Sequence, residues 1–260
     1  MNLLDRFLSR TAFDSMTDFR ENYRIRVPER FNFAFDVADE MARLAPDQRA
    51  LVWANPEGEE RVFTFGQIKY WSDKTANYLK GLGVRKGDAV MVILKRHYEF
   101  WFAILALHKL GAVTVPATHL LTRKDIIYRN NAAGISMIIC TGDGTVSQSV
   151  SDSLGESPTV REIVYVGEDT PSGWRDFRAG VEAADPHFER PTGAEACENS
   201  DPSLMYFTSG TAAMPKMVLH SMTYPLGHIA TAKYWQNCAD GGLHLTVADT
   251  GWGKAVWGKI

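Results

Sequence analysis

The stretch AVMVILKRHYEFWFAILALHKLGAVTVP, residues 89–116, decides the fold. Ala89 to Leu94 is a continuous apolar run, the pattern of a strand covered on both faces. His97 to Leu110 reads as an apolar helix, and Gly111 stops it. AVTVP then begins a second strand. Downstream the rhythm repeats. Thr122 to Ala133 predicts a helix, with Thr122 as N-cap and Asp125 three residues later as its acidic partner. SMIIC predicts a strand, SQSVSDSL a helix and REIVYVG another strand. Upstream, Phe35, Ala38, Met41 and Leu44 share one face of a helix over Asn32 to Leu44, closed by Pro46. ALVWA and RVFTF predict two strands joined by the turn NPEG. A helix follows from Thr64, with Phe65, Ile68, Trp71, Ala76 and Leu79 inward and Gly81 and Gly83 at its end. Strands alternating with helices predict a doubly wound, mostly parallel α/β sheet layered with helices.

The composition sets bounds on function. The 260 residues are 45% hydrophobic and 23% charged, with a formal net charge of -3, which carries no electrostatic footprint for nucleic acid. No apolar stretch is long enough to span a bilayer, and MNLLDRFLSR lacks the order of a secretory signal. Cys140, Cys197 and Cys238 have neither metal-ligand nor disulfide-framework spacing, and a reducing, cytoplasmic setting is expected. Residues 168–201 are polar and predict surface loops around one short helix, Trp174 to Ala183.

SLMYFTSG opens a further strand, and Tyr206 to His220 reads YFTSGTAAMPKMVLH. Hydroxyls and free backbone N–H groups at a strand's carboxyl end are where open α/β sheets bind ligands. Thr208, Ser209 and Thr211 can donate to phosphate oxygens, and Gly210 permits close approach. Lys216 adds a point charge and Pro215 stiffens the segment before it. A Ser/Thr-rich turn with a solvated lysine has the same composition. The P-loop motif fails on spacing, because Lys216 lies between Pro215 and Met217.

TSGTAAMPKMVLH resembles the loop of the adenylate-forming superfamily, whose usual form is T-S-G-T-T/S-G-x-P-K. RVPERFNFAFDVADE, FTFGQIKYWSDKTANYLKGLGVRKGDAVMVIL, HKLGAVTVPATHLLTRKDIIYR and HLTVADTGWGKA are similar to medium-chain-type acyl-CoA synthetases. The resemblance implies an AMP-forming acid–thiol ligase. A carboxylate attacks the α-phosphorus of ATP, pyrophosphate leaves, and coenzyme A takes the acyl group from the adenylate. It implies ATP, CoA and a small carboxylic acid as substrates, with Mg²⁺ expected from ATP chemistry. It also implies that Thr208, Ser209, Gly210, Thr211 and Lys216 hold the ATP phosphates. His220, at the end of VLH before the expected helix MTYPLGHIATAKYW, then lies near the acyl and adenylate site. Trp252 and Gly253, in ADTGWGKAVWG, shape the acyl pocket, with Asp249 and Thr250 as helix caps. His228 and His244 carry no functional reading. Lys95 and Arg96 read as a solvated basic turn, and Arg129 to Asn131 as surface or capping residues.

Two positions depart from the family pattern. Ala212 and Ala213 stand where a hydroxyl and a glycine are usual, so one phosphate donor is lost and positive φ is resisted. KAVWGKI breaks off within an apolar, helix-like pattern, and the family's adenine, ribose and hinge motifs do not appear. The expected organisation is a partial N-terminal AMP-binding domain over 1–260, with a first α/β portion to about 200 and the loop-bearing portion from 201. This expected organisation lacks a C-terminal domain, and the fragment alone is expected to be inactive. Exposed apolar surface is expected around Val256, Trp257 and Ile260. The alternatives are an adenylate former serving a carrier-protein thiol or another acceptor, and a non-catalytic protein retaining the fold.

Overall fold

The computed structural model describes residues 3–208 and 214–257, except for the side chain of Trp257. A short helix α1 (Met16–Asn22) precedes a π-helical stretch, Ala34–Asp39, that runs into α2 (Glu40–Leu44). The single helix expected over Asn32 to Leu44 is thus a wider coil with a short α-helical end. At its start Asn32 is buried: its Oδ1 accepts from Ala34 N–H, and Asp36 Oδ2 accepts from its own backbone N–H. Strands β1 (Arg49–Ala54) and β2 (Glu60–Thr64) pair antiparallel as a separate ribbon. Helix α3 (Phe65–Gly81) starts at a reciprocal cap. Thr64 accepts from Gln67 N–H, and the Gln67 side chain accepts from Thr64 N–H.

The main sheet has seven strands in the order β7-β6-β5-β3-β4-β8-β9. They are β3 (Ala89–Ile93), β4 (Val113–Pro116), β5 (Ile135–Thr141), β6 (Glu162–Val166), β7 (Arg175–Asp176), β8 (Pro202–Thr208) and β9 (Lys216–Ser221). All pairings are parallel except β8 with β9, which is the expected mostly parallel sheet. Every residue of β3 is buried, as its unbroken apolar run requires. Helices α4 (Glu99–Leu110) and α7 (Phe177–Ala183) join α3 on one face. Helices α5 (Arg123–Ala133) and α6 (Val146–Ser153) cover the other. Two apolar clusters fill the two layers. One contains Val90, Val92, Phe100, Ile104 and Leu204, the other Met91, Ile93, Val115, Ile138 and Val150.

Helix boundaries follow local chemistry. Thr122 and Asp125 form the expected capping box of α5. Gly111 ends α4 at φ 69°, and a Cβ there would also lie 2.8 Å from Cys197 Sγ. The α3–α4 interface holds a buried ion cluster: Lys109 Nζ donates to Asp39 at 2.8 Å, Asp73 at 2.5 Å and Ser72 Oγ at 2.9 Å.

Further expectations change. The helix expected after His220 is broken into α8 (Tyr224–Gly227), with Pro225 in its first turn, and a π-helical turn at Thr231–Trp235. Asn130 is fully buried, its Nδ2 donating to Ser157 Oγ, so it is neither surface nor cap. Lys95 and Arg96 keep solvent-exposed side chains, as expected of a basic turn, while Lys95 has φ 50° and its carbonyl accepts from Thr250. Val256, in α9 (Gly253–Trp257), is 3% exposed and belongs to the larger apolar cluster. The Trp257 side chain and Ile260 lie outside the described residues.

Candidate functional site

The phosphate-loop candidate is the turn of a hairpin. β8 and β9 run antiparallel, and Thr208 stands directly opposite Lys216. Ser209, Gly210 and Thr211, and the departures Ala212 and Ala213, lie outside the described residues. Because β8 is parallel to β4, the hairpin turns at the carboxyl end of the sheet, where ligands of open α/β sheets bind. Thr208 and Lys216 are both exposed. The root of the loop is tied to the opposite helix layer. Tyr128 Oη in α5 donates to the Pro215 carbonyl at 2.8 Å, and the Arg129 guanidinium sits 5.0 Å over the Phe207 ring. Neither contact is legible in the spacing of the loop, because both partners come from α5, far upstream in the chain.

Residues facing one another across an antiparallel pair point to the same side, and so do alternate residues along a strand. Thr208, Tyr206 and Leu204 of β8 therefore share a face with Lys216, Val218 and His220 of β9. His220 is paired with Leu204, four residues along the strand from Lys216, or about 13 Å by strand rise. Its ring lies 5.5 Å from that of Tyr206 and 4.0 Å from that of Tyr224. Burial holds its pKa below the ordinary histidine value. Burial, reinforced by the neighbouring His220, does the same to His228, which packs edge-on to Tyr224 at 4.6 Å. Tyr206 is the link to the third predicted element. Its hydroxyl is 3.5 Å from the Gly253 carbonyl, and a Cβ on Gly253 would touch its ring at 3.6 Å. Burial, and then Tyr224, raise the Tyr206 pKa strongly.

Residues 249–253 clamp the carboxyl ends of three strands. The Thr250 hydroxyl donates to the Lys95 carbonyl beyond β3. His119 Nδ1, beyond β4, is 2.9 Å from Asp249 Oδ2, and Asp249 Oδ1 accepts from Gly251 N–H at 2.9 Å. Gly253 reaches Tyr206 of β8. Thr250 therefore ties the segment to β3 rather than capping α9. Gly251 packs backbone to backbone against Ala117 and Thr118, an approach only glycine allows. Trp252 is 61% exposed. His119 was not singled out by the sequence. The signal that could have found it is its place three residues past an apolar strand, the position from which sheet-end ligands are bound.

A second polar group occupies the point where strand order reverses. The connection from β3 runs to β4, and that from β5 runs the other way to β6. Between these two strand ends His97 Nε2 is 2.8 Å from Thr141 Oγ1 and 3.3 Å from Asp143, and Lys95 Nζ is 3.5 Å from Asp143. Among the described residues no three His, Cys, Asp or Glu side chains converge to hold a metal ion. No helix among them is long and apolar enough to cross a membrane.

The AMP-binding enzyme family profile matches residues 38–253. The chain is 35% identical over 238 residues to the mitochondrial acyl-coenzyme A synthetase ACSM5 of Mus musculus, covering 89% of this chain and 40% of that protein. It is 30% identical over 256 residues to the mitochondrial acyl-coenzyme A synthetase ACSM3 of Homo sapiens, covering 95% of this chain and 42% of that one. Among solved structures, the acyl-CoA synthetase of Brucella canis superposes with a TM-score of 0.76 at 24% identity, over 87% of this chain and 40% of that one. An anthranilate CoA ligase in complex with anthranoyl-AMP superposes with a TM-score of 0.69 at 24% identity, over 80% and 38%. These structural likenesses carry the fold. The chain spans about two fifths of the length of these relatives.

Proposed function

Because the chain belongs to the AMP-binding enzyme family, we propose that it supplies the polyphosphate grip of an ATP-dependent, AMP-forming acyl-CoA synthetase. The overall reaction is carboxylic acid, ATP and CoA to acyl-CoA, AMP and pyrophosphate. The observation that carries this reading is the pairing of Thr208 with Lys216 across an exposed hairpin mouth at the carboxyl end of the sheet. Backbone N–H groups flanked by a hydroxyl and an ammonium bind a β,γ-diphosphate by charge-assisted hydrogen bonds. Thr208 and Lys216 hold the two sides, with Ser209, Gly210 and Thr211 between them. Negative charge grows on pyrophosphate as it leaves, so donors aimed at it lower the barrier as well as binding ATP. His220, Trp252 and Gly253 border the acyl end, with Tyr206 as the packing link between His220 and Gly253. The Mg²⁺ expected from ATP chemistry would be held largely by the nucleotide's phosphates and water.

The test is carboxylate-dependent exchange of labelled pyrophosphate into ATP by the full-length protein, with Lys216→Met as comparison. Exchange that falls at least tenfold in the variant, with an unchanged thermal midpoint, supports the reading. ATP binding without exchange for any acid would favour a non-catalytic protein that keeps the fold. Exchange with acyl transfer to a carrier-protein thiol, but not to CoA, would place the chain in a neighbouring branch of the family.

A further inference from the structure

We propose that His119, held through Nδ1 by Asp249, accepts the proton of the thiol that takes the acyl group. This rests on the synthetase reading above and adds a residue to it.

The two ring nitrogens of His119 have different surroundings. Nδ1 lies 2.9 Å from Asp249 Oδ2. A carboxylate at that distance takes an N–H, which puts the proton of the neutral ring on Nδ1 and leaves Nε2 with a free lone pair. The carboxylate is itself fixed, because its other oxygen accepts from Gly251 N–H at 2.9 Å. Gly251 in turn is locked against the Ala117–Thr118 backbone. The ring is thus oriented by three consecutive restraints, running from Asp249 through Gly251 to the Ala117–Thr118 backbone. The His119 side chain is 31% exposed and that of Asp249 16%, so the ring retains a solvent face through which a proton can leave.

The position is the carboxyl end of the sheet, where ligands of open α/β sheets bind. β4 and β8 are parallel, with Thr114 level with Leu204. β4 ends at Pro116, and β8 runs on to Thr208, where the hairpin turns. His119 therefore follows the carboxyl end of the strand next to the one that leads into the phosphate-loop hairpin.

The chemistry distinguishes the two half-reactions. In the first, an ionised carboxylate attacks the α-phosphorus and pyrophosphate departs, and no proton is removed from the nucleophile. In the second, the incoming group is a thiol with a pKa of about 8.5, mostly protonated at neutral pH. The sulfur–carbon bond forms, the acyl carbon–oxygen bond to AMP breaks, and AMP leaves with the bonding electrons. The thiol proton passes to Nε2 of His119, giving an imidazolium beside Asp249, and from there to solvent. A positioned base of this kind contributes about 10²–10⁴-fold to such a step.

Substitutions separate a base from a pin. Asparagine carries an N–H at the place of Nδ1 and nothing at the place of Nε2. Glutamine does the reverse, and neither is a base. In the full-length protein the half-reactions are measured apart: pyrophosphate exchange for the first, and single-turnover mixing of the enzyme-bound acyl-adenylate with CoA for the second. His119→Asn is expected to keep exchange and the thermal midpoint within twofold and 2 °C of the parent, roughly the scatter of unperturbed surface sites. Its thiolation is expected to fall by about 10²-fold or more, and His119→Gln to fall alike. Thiolation by His119→Asn at the parent rate overturns the proposal, since that outcome marks a purely structural pin. A parent protein that shows no exchange with any acid overturns the synthetase reading first and this one with it. A second measurement needs no variant. In two-bond ¹H–¹⁵N spectra of the wild-type chain at neutral pH, His119 is expected as the tautomer protonated on Nδ1, and the Nε2-protonated form overturns the proposal.

Discussion

Gly251 is interlocked with Thr118: a Cβ built on Gly251 would lie 2.0 Å from the Thr118 backbone nitrogen and 2.2 Å from the Ala117 carbonyl carbon. Both partners are backbone, so no side chain can swing aside. Gly251→Ala is expected to lift residues 249–253 from the strand ends and to cost about 1–3 kcal/mol, the usual penalty for overpacking. The contacts of Thr250 to Lys95 and of Asp249 to His119 would go with it. Urea denaturation gives the energy. Limited proteolysis locates the change, with faster cleavage in residues 240–253 and unchanged cleavage elsewhere.

Lys109 is fully buried, and its three donors are matched by Asp39, Asp73 and Ser72. Removing the cation alone leaves Asp73, itself 1% exposed, with Lys69 as its remaining ion partner. Lys109→Met is expected to cost about 3–5 kcal/mol, read as a lower urea midpoint. Lys109→Met combined with Asp39→Asn and Asp73→Asn should recover most of that loss, because the main penalty is an uncompensated buried carboxylate. A triple variant no more stable than the single one would count against the electrostatic account.

These two sites show where the sequence was legible and where it was not. The period of Ala89–Leu94 and the caps at Thr122 and Gly111 are local, so strand, helix and stop could be read directly. The buried status of Lys109 could not. A lysine at position 109 of an apolar helix looks like a solvated end until Asp39 and Asp73 arrive from other elements. The same holds at the site. Thr208 and Lys216 could be named as candidates because one loop carries both, but the clamp at 249–253 depends on contacts across 130 residues or more. Asn130 and Val256 were misread for a related reason: burial there is decided by Ser157 and by the main apolar cluster, not by neighbours in sequence.

His108 is fully enclosed, its Nδ1 has no hydrogen-bond partner among the described residues, and burial pushes its pKa down to about 4 from 6.5. The folded chain therefore resists protonation that the unfolded chain accepts. Above about pH 6.5 both states are neutral at this ring and it adds no pH dependence. As pH falls from 6.5 towards 4 the unfolded state gains the proton first and stability drops. The gap between 6.5 and about 4, at 1.36 kcal/mol per pH unit, comes to about 3 kcal/mol. His108→Leu is expected to leave stability at pH 7.5 within about 1 kcal/mol of the parent and to lose less between pH 6.5 and 4. Urea midpoints at half-unit pH steps test this, and parallel curves for the two proteins would contradict it.

Ala212 and Ala213 replace a hydroxyl and a glycine of the family's loop. Ala212→Thr with Ala213→Gly restores a phosphate donor and the freedom to take positive φ. A single hydrogen bond to a charged group is worth about 1.5 kcal/mol, so ATP affinity is expected to rise roughly tenfold. Isothermal titration of the full-length protein measures it, and unchanged affinity would mean that the loop grips through backbone N–H groups alone.

Tyr128 donates its hydroxyl to the Pro215 carbonyl, one residue before Lys216. This contact ties the outgoing limb of the loop to α5, and the neighbouring Arg129 covers Phe207 on the incoming limb. Tyr128→Phe removes one hydrogen bond and no packing volume, so global stability should change by about 1 kcal/mol at most. The loop, however, loses a fixed end, and ordering it on ATP then costs more. The expected result is a rise of about fivefold in the KM for ATP in pyrophosphate exchange, with a smaller change in the KM for the carboxylic acid. Equal changes in both constants would mean that Tyr128 supports the sheet as a whole rather than the phosphate grip.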